Sequence, residues 1–309
     1  MRRIRTILIA VAATLAVGTY SAGPAAATPA PAAPLVAPDI DVNGVLSHLG
    51  EFQSIADTHG NRAAGTAGYD ASADYVANAL TAAGFDVERQ TCLDCTSPDD
   101  NIIADWPGGD TSSTIMLGAH LDGVRGGPGA NDNGSGSAAL LEVALTLAET
   151  APTMAKHVRF AWWADEEQGL NGSSYYVDTV DTSDLEVYLN FDMIGSANAG
   201  YFVTDINGTY GQALAEHLTA VGKAPDPMTE CCSDDLPFEY AGVPTAFLST
   251  GASAVKTTTQ AAKWGGTAGQ SFDPCYHRAC DAYPSNINAE AINHTADAIG
   301  HALWTLAVT

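Results

Sequence analysis

Two adjacent carboxylates, Glu166 and Glu167, end the run His157-Val-Arg-Phe-Ala-Trp-Trp-Ala-Asp165. Neighbouring like charges each make the other harder to ionise, so a cation belongs beside them. Successive residues point in different directions. One of the pair can therefore bind a metal while the other faces a reacting group. More groups of this chemistry lie elsewhere in the chain. His120 and Asp122 end one apolar run, Asp132 sits in a Gly-rich loop, Asp192 ends another apolar run, and His277 lies between two cysteines. Imidazole plus carboxylate, with no thiolate needed, suits zinc and similar divalent ions. His120, Asp132, Glu166, Glu167, Asp192 and His277 exceed what one tetrahedral ion requires. Two ions sharing a carboxylate use the set better, and paired metals are a recurring device for hydrolysis. His120 and Asp122 are two residues apart and so share one face of a strand. The Asp122 carboxylate is expected to accept from the His120 ring and fix its tautomer.

The elements that must position these groups are legible as periodicity. Residues 157–163 read as a buried strand, followed by turn chemistry at Gly169 and Asn171-Gly172. Residues 114–119 and 186–194 read as further buried strands, which deliver His120 and Asp192 near their carboxyl ends. Residues 85–90, 101–106 and 243–248 complete the strands. Helical spacing covers residues 41–56, with Asp41 as N-cap, and residues 68–85, with Gly84 as the stop. It recurs over 137–150, 173–179, 210–221 and 287–306. Residues 123–136 are Gly-rich but lack the Lys-Ser/Thr of a phosphate loop. Residues 263–280 read as a long loop. This alternation implies an α/β fold: a single globular domain with a mixed, mostly parallel central sheet and helices on both faces. Such sheets bind ligands at strand carboxyl ends, where these groups gather.

Composition narrows the class. With 46% hydrophobic residues the 309-residue chain is globular. It carries 36 acidic against 12 basic residues, which argues against nucleic acid as a partner. Arg2, Arg3 and Arg5, the apolar stretch 7–17 and Ala25-Ala26-Ala27 form a secretory leader over residues 1–27. Its apolar part is too short to span a bilayer, and no membrane partner is expected. Residues 28–37 are a Pro/Ala-rich lead-in, and residues 38–309 form one domain. The cysteines, at positions 92, 95, 231, 232, 275 and 280, fit an oxidising destination. Cys275 with Cys280 closes a short loop and is the readiest pair. The pairing of the other four stays open.

Five ordered segments closely resemble the secreted bacterial two-zinc aminopeptidases, the leucyl-aminopeptidase-like zinc exopeptidases. They are Gly118-Ala-His-Leu-Asp122, Asn131-Asp-Asn-Gly-Ser-Gly136, Ala161-Trp-Trp163 through Glu166-Glu167, Asn190-Phe-Asp-Met-Ile-Gly195 and Cys275-Tyr-His277. Lys263-Trp-Gly-Gly-Thr-Ala-Gly-Gln270 adds to them, and the resemblance runs from about residue 38 to the C-terminus. It implies two Zn2+ per chain. His120 and Asp192 would hold one, Glu167 and His277 the other, and Asp132 would bridge them. Glu166 would be the general base that takes a proton from the attacking water, Asp122 would support the metal ligands from behind, and Tyr276 would stabilise the oxyanion. The expected substrates are peptides and proteins with a free N-terminus, large apolar residues first, met outside the cell by a monomer.

The chain also departs from the family pattern. Asp235 stands where the family commonly has His, and an Arg that some members carry near Cys232 is absent. With Glu230 and Asp234 close by, Asp235 is expected to border the cleft and favour Lys or Arg near the cleaved bond, or else to be a plain surface acid. Some members bind calcium at positions matched here by Asp39, Ile40 and Asp297, but Asn293 replaces an Asp. The competing readings are a dipeptidase, carboxypeptidase or glutaminyl cyclase on the same fold, and a non-catalytic secreted binding protein. A carboxypeptidase wants an Arg near its site, and few are available. A one-zinc cyclase has no use for five ligands, and a binder has no use for Glu166.

Overall fold

Trp162 and Trp163 are neighbours in sequence, yet they pack into different cores. Side chains alternate across a strand. In β4 (Lys156–Trp163), Val158, Phe160 and Trp162 enter the larger core, while Ala161 and Trp163 enter a smaller one. All of them are fully buried, the mark of a strand covered on both faces. This computed structural model describes residues 36–229 and 232–309, so the leader and most of the lead-in lie outside the described residues.

β4 lies between β2 (Asp100–Asp105) and β3 (Asp110–His120). β1 (Asp86–Thr91), β5 (Leu185–Phe191), β6 (Phe202–Val203), β7 (Asp226–Pro227) and β8 (Thr245–Ser249) complete an eight-stranded sheet in the order β1-β2-β4-β3-β5-β8-β6-β7. The central strands β4, β3, β5 and β8 run parallel; β1, β2 and β6 pair antiparallel with their inner neighbours. The register sets His120 beside Trp163, Gly118 beside Asn190 and Phe191 beside Leu248. The carboxyl ends of the four parallel strands therefore line one edge. Gly118 has a local reason. Trp163 Nε1 donates to Tyr188 Oη at 2.8 Å across β3, and a Cβ at Gly118 would lie 2.5 Å from that oxygen. Only glycine lets the two neighbouring strands make this bond.

Helices α1 (Val42–His59), α2 (Ala67–Ala83), α3 (Gly134–Thr150), α5 (Thr209–Ala220) and α8 (Ala289–Ala307) cover the larger core. The short α4 (Asn171–Thr179) and α6 (Asp235–Tyr240) close the smaller one, where Tyr188 and Phe238 stack with centroids 4.0 Å apart. The caps at Asp41 and Gly84 are as expected. α3 starts three residues earlier than its apolar pattern, because Asn133 caps it by accepting from Gly136 N at 2.9 Å. The sequence reading missed α6, α7 (Thr258–Trp264) and the two-residue strands β6 and β7. No helix among the described residues is long and apolar enough to cross a membrane.

At the opposite end of the sheet, Asp105 accepts from His157 Nε2 at 2.7 Å and from Arg159 Nε at 2.8 Å. The bond to Asp105 raises His157 above its ordinary pKa. Burial alone would raise Asp105, but His157 and Arg159 hold it below the usual carboxylate range. The Asp105 contribution is thus present above the unfolded carboxylate pKa and is lost as pH falls through the lowered value. The His157 contribution is present below about pH 6.5 and is lost as pH rises through the raised value. His157→Gln should lower the melting temperature most in the mildly acidic range, and the gap should narrow in alkali. Thermal unfolding across this range checks both limbs.

Candidate metal centre and substrate cavity

The groups flagged in the sequence arrive at the lined-up strand ends. His120 is the last residue of β3, and Asp192 directly follows β5. Glu166 and Glu167 open a 3-10 turn, Glu166–Gln168, just beyond β4. Asp132 comes from the loop before α3, and His277 from a loop closed by the Cys275–Cys280 disulfide. His120 Nε2 lies 3.4 Å from both Asp132 Oδ1 and Asp192 Oδ1. His277 Nε2 lies 3.1 Å from both Asp132 Oδ2 and Glu167 Oε2. Each oxygen of Asp132 thus faces a different imidazole. Two donor triads result, His120-Asp132-Asp192 and Asp132-Glu167-His277, each with its atoms within 4.8 Å of one another. Glu166 Oε2 stands 3.9 Å from His120 Nε2 and belongs to neither triad.

The backbone around the site is held in unusual conformations. Asp165, Leu170, Met193 and His277 all have positive φ without being glycine. Such residues persist only where the surroundings over-determine them. Asp165 shows how. It is fully buried, and its Oδ2 accepts from Thr96 N at 2.6 Å and from Asn171 Nδ2 at 2.9 Å. This ties the Glu166-Glu167 turn to the loop that begins with the Cys92–Cys95 disulfide. Sequence reasoning missed Asp165; its only signal was a third acid next to the pair.

Asp122 meets the His120 ring and also holds the Glu166-Glu167 turn. His120 Nδ1 finds the backbone carbonyl of Asp122 at 3.1 Å, with the carboxylate farther off at 3.5 Å. The carboxylate also accepts from Glu166 N at 3.1 Å and Glu167 N at 3.4 Å. A carbonyl can only accept, so Nδ1 carries hydrogen and Nε2 is left facing Asp132 and Asp192.

The electrostatics call for positive charge. The carboxylates of Asp132 and Glu167 raise His277 to about 10. Burial lowers His120, but Glu166 and Asp192 outweigh it and the net shift is upward. Burial raises Glu167 to about 7 and pushes Glu166 well above its ordinary value. Yet His120 Nε2, Asp132 Oδ2, Glu167 Oε1 and Asp192 Oδ1 are buried without a hydrogen-bond partner. Leaving such an atom unpaired costs about 1–3 kcal/mol. The orphans coincide with the two triads, and divalent ions there would satisfy them together. The donors, two imidazoles and three carboxylates, suit zinc.

A cavity of about 840 Å3 opens from this cluster. Asp132, Glu166, Glu167, Asp192, Tyr276 and His277 line its acidic end; Met193, Phe202, Met228, Phe247 and Phe272 line an apolar part. Tyr276 stacks on His277 with centroids 3.8 Å apart, and burial and the nearby acids raise its pKa, so its hydroxyl stays a donor. Asp235 does not fulfil either expectation. It is buried, its Oδ1 accepts from Ser233 N at 2.9 Å, and it is absent from the cavity wall, which Cys232 and Ser233 form instead. It holds the turn before α6. Asp234 is fully buried behind the site, where its Oδ1 accepts from Ser173 Oγ at 2.5 Å. Cys232 is disulfide-bonded; Glu230 and Cys231 lie outside the described residues.

Known proteins resemble this chain in sequence and in fold. The chain is 48% identical over 275 residues to leupeptin-inactivating enzyme 1 of Streptomyces exfoliatus, a match covering 87% of this chain and 63% of that enzyme. Its fold matches a zinc aminopeptidase from Bacillus subtilis with a TM-score of 0.72 at 18% identity, over 89% of this chain and 97% of the other. A glutaminyl cyclase from Bacteroides thetaiotaomicron matches equally well, with a TM-score of 0.72 at 18% identity over 87% and 99% of the two chains. Fold alone therefore does not choose the reaction. Residues 101–303 match the model of Peptidase family M28, and over that span, which holds every donor of the two triads, this chain belongs to Peptidase family M28.

Proposed function

We propose that the chain is a secreted zinc aminopeptidase that binds two Zn2+ and removes N-terminal residues, large apolar ones first, from peptides and proteins, acting as a monomer. The observation that carries this reading is Asp132, whose two oxygens face His120 and His277 separately. His120 and Asp192 would hold one ion, Glu167 and His277 the other, with Asp132 shared. Bound zinc would acidify a water and polarise the scissile carbonyl. Glu166, outside both triads, takes a proton from the attacking water and delivers it to the leaving amine. Tyr276 donates its hydroxyl hydrogen to the oxyanion. Asp122 fixes the backbone of the Glu166-Glu167 turn. The acidic end of the cavity suits an α-ammonium group, and the apolar wall suits the side chain next to it. The leader and the disulfides support an address outside the cell.

Calcium is not part of the proposal, because Asn293 stands where an Asp would supply a charged donor. Asp297 Oδ1 accepts from Ile40 N at 2.9 Å, and its Oδ2 accepts from Asn293 Nδ2 at 3.3 Å. Calcium takes six to eight oxygen ligands, and Asn293 spends its amide on Asp297 rather than adding a carboxylate.

The test is a matched pair of leucine anilides, one with a free amine and one N-acetylated. The free amine should be cleaved faster by roughly two orders of magnitude or more, because acetylation leaves the acidic end unpaired. Equal rates would remove the exopeptidase reading. Ammonia released from a Gln-leading peptide without chain cleavage would put a cyclase in its place.

A further inference from the structure

Asp281 follows the second cysteine of the His277 loop and is buried. Three successive N–H groups from the loop that carries Asp132 converge on it. Ala130 N donates to its backbone carbonyl at 3.1 Å, Asn131 N to Oδ1 at 2.8 Å, and Asp132 N to Oδ2 at 3.1 Å. The other root of the disulfide loop is tied to the same place. Asp273 Oδ1 accepts from Cys275 N at 2.7 Å, and its Oδ2 accepts from Asn131 Nδ2 at 2.6 Å. Asn286 Nδ2 spans the two carboxylates, 2.9 Å from Asp281 Oδ1 and 3.0 Å from Asp273 Oδ1.

Asp132 and His277 come from distant parts of the chain and have to meet within one bond length of a shared ion. Each sits on a loop, where backbone freedom is greatest. A carboxylate that accepts consecutive N–H groups fixes the peptide planes between them, and with them the direction of the Asp132 side chain. Because Asp281 is covalently next to the disulfide, the same residue also sets where the His277 loop begins.

We infer that Asp281 is a positioning residue for the metal centre: it locks the Asp132 loop to the root of the His277 loop and so sets the spacing of the two ligands. It touches neither substrate nor reacting atoms. The inference rests on the zinc reading above, and the experiment separates the two. Asp281→Asn keeps the shape but turns an NH2 toward one of the N–H donors, so one bond becomes a repulsion. Groups that orient ligands change metal affinity or activity by about 10- to 100-fold when lost.

Zinc-loaded full-length protein should therefore show, in Asp281→Asn, zinc affinity and kcat each lowered by about that factor with KM nearly unchanged. In cobalt-substituted protein, the visible absorption bands should shift, since they report ligand geometry. Leu218→Ala, a buried α5 change away from the site, serves as the stability control and should leave the cobalt spectrum as in wild type. Asp281→Asn with wild-type zinc affinity and an unaltered cobalt spectrum overturns the inference. Should that variant not fold, Asn286→Ala takes its place: it removes one bond to Asp281 and should weaken zinc binding in the same direction by a smaller factor, and unchanged affinity there overturns the inference equally. Wild type that binds no zinc would sink the proposed function and this inference with it; zinc-loaded, active wild type with unaffected variants sinks this inference alone.

Discussion

Glu166→Gln should keep both zinc ions and lose turnover by roughly two to four orders of magnitude. Glu166 stands 3.9 Å from His120 Nε2 and outside both triads, so removing its charge leaves the ligand count intact. What it removes is the proposed acceptor of a proton from the attacking water. Its neighbour should behave in the opposite way. Glu167 Oε2 lies 3.1 Å from His277 Nε2, and Oε1 has no other partner. Glu167→Gln should weaken zinc binding first and turnover as a consequence, with excess zinc restoring part of the rate. Zinc content by elemental analysis, set beside kcat at saturating zinc, separates the two effects. A Glu166→Gln protein that arrives with one ion, or a Glu167→Gln protein with two and no activity, would mean that the roles of the pair are reversed.

Chelation should abolish activity altogether and lower the melting temperature as well. Without ions the cluster keeps its acids around two imidazoles, with four buried donor atoms unpaired. A ligand that binds only the folded state stabilises it by about 4 kcal/mol at a thousand times its dissociation constant. Zinc held by three protein donors should be in that regime. Titrating zinc back while following activity and unfolding should reach a plateau at two equivalents per chain. A plateau at one equivalent would leave Asp132 bridging nothing and would point to a site of different chemistry.

How far this centre could be read from the chain alone depended on the kind of residue. His120, Glu166, Glu167 and Asp192 were legible because each is a polar residue just past a run too apolar to tolerate one without purpose. The sheet was legible for the same reason, since the inner parts of β3, β4 and β5 are buried on both faces and so are mostly apolar. α6 and α7 escaped because a helix of two turns hardly shows a period, and α7 is fixed by the capping box of Thr257 and Gln260 rather than by an apolar face. Asp235 was misplaced because spacing cannot tell a cleft acid from one that turns back onto Ser233 N. The pairing of the Asp122 carboxylate with the His120 ring was legible from their spacing, but its bonds to Glu166 N and Glu167 N were not, because β3 ends at His120 and those partners are far along the chain. Asp165 was hidden because its partner, Thr96 N, is a backbone group far away in sequence.

The Cys275–Cys280 bond also ties the site to the redox state of its surroundings. The loop it closes brings in His277 and Tyr276, so the bond limits the freedom of both. In a reducing cytoplasm that bond does not persist. A chain kept there would leave the residues between Cys275 and Cys280 without that closure. If the chain is exported as proposed, the oxidising surroundings it meets outside would complete the loop that carries His277 and Tyr276.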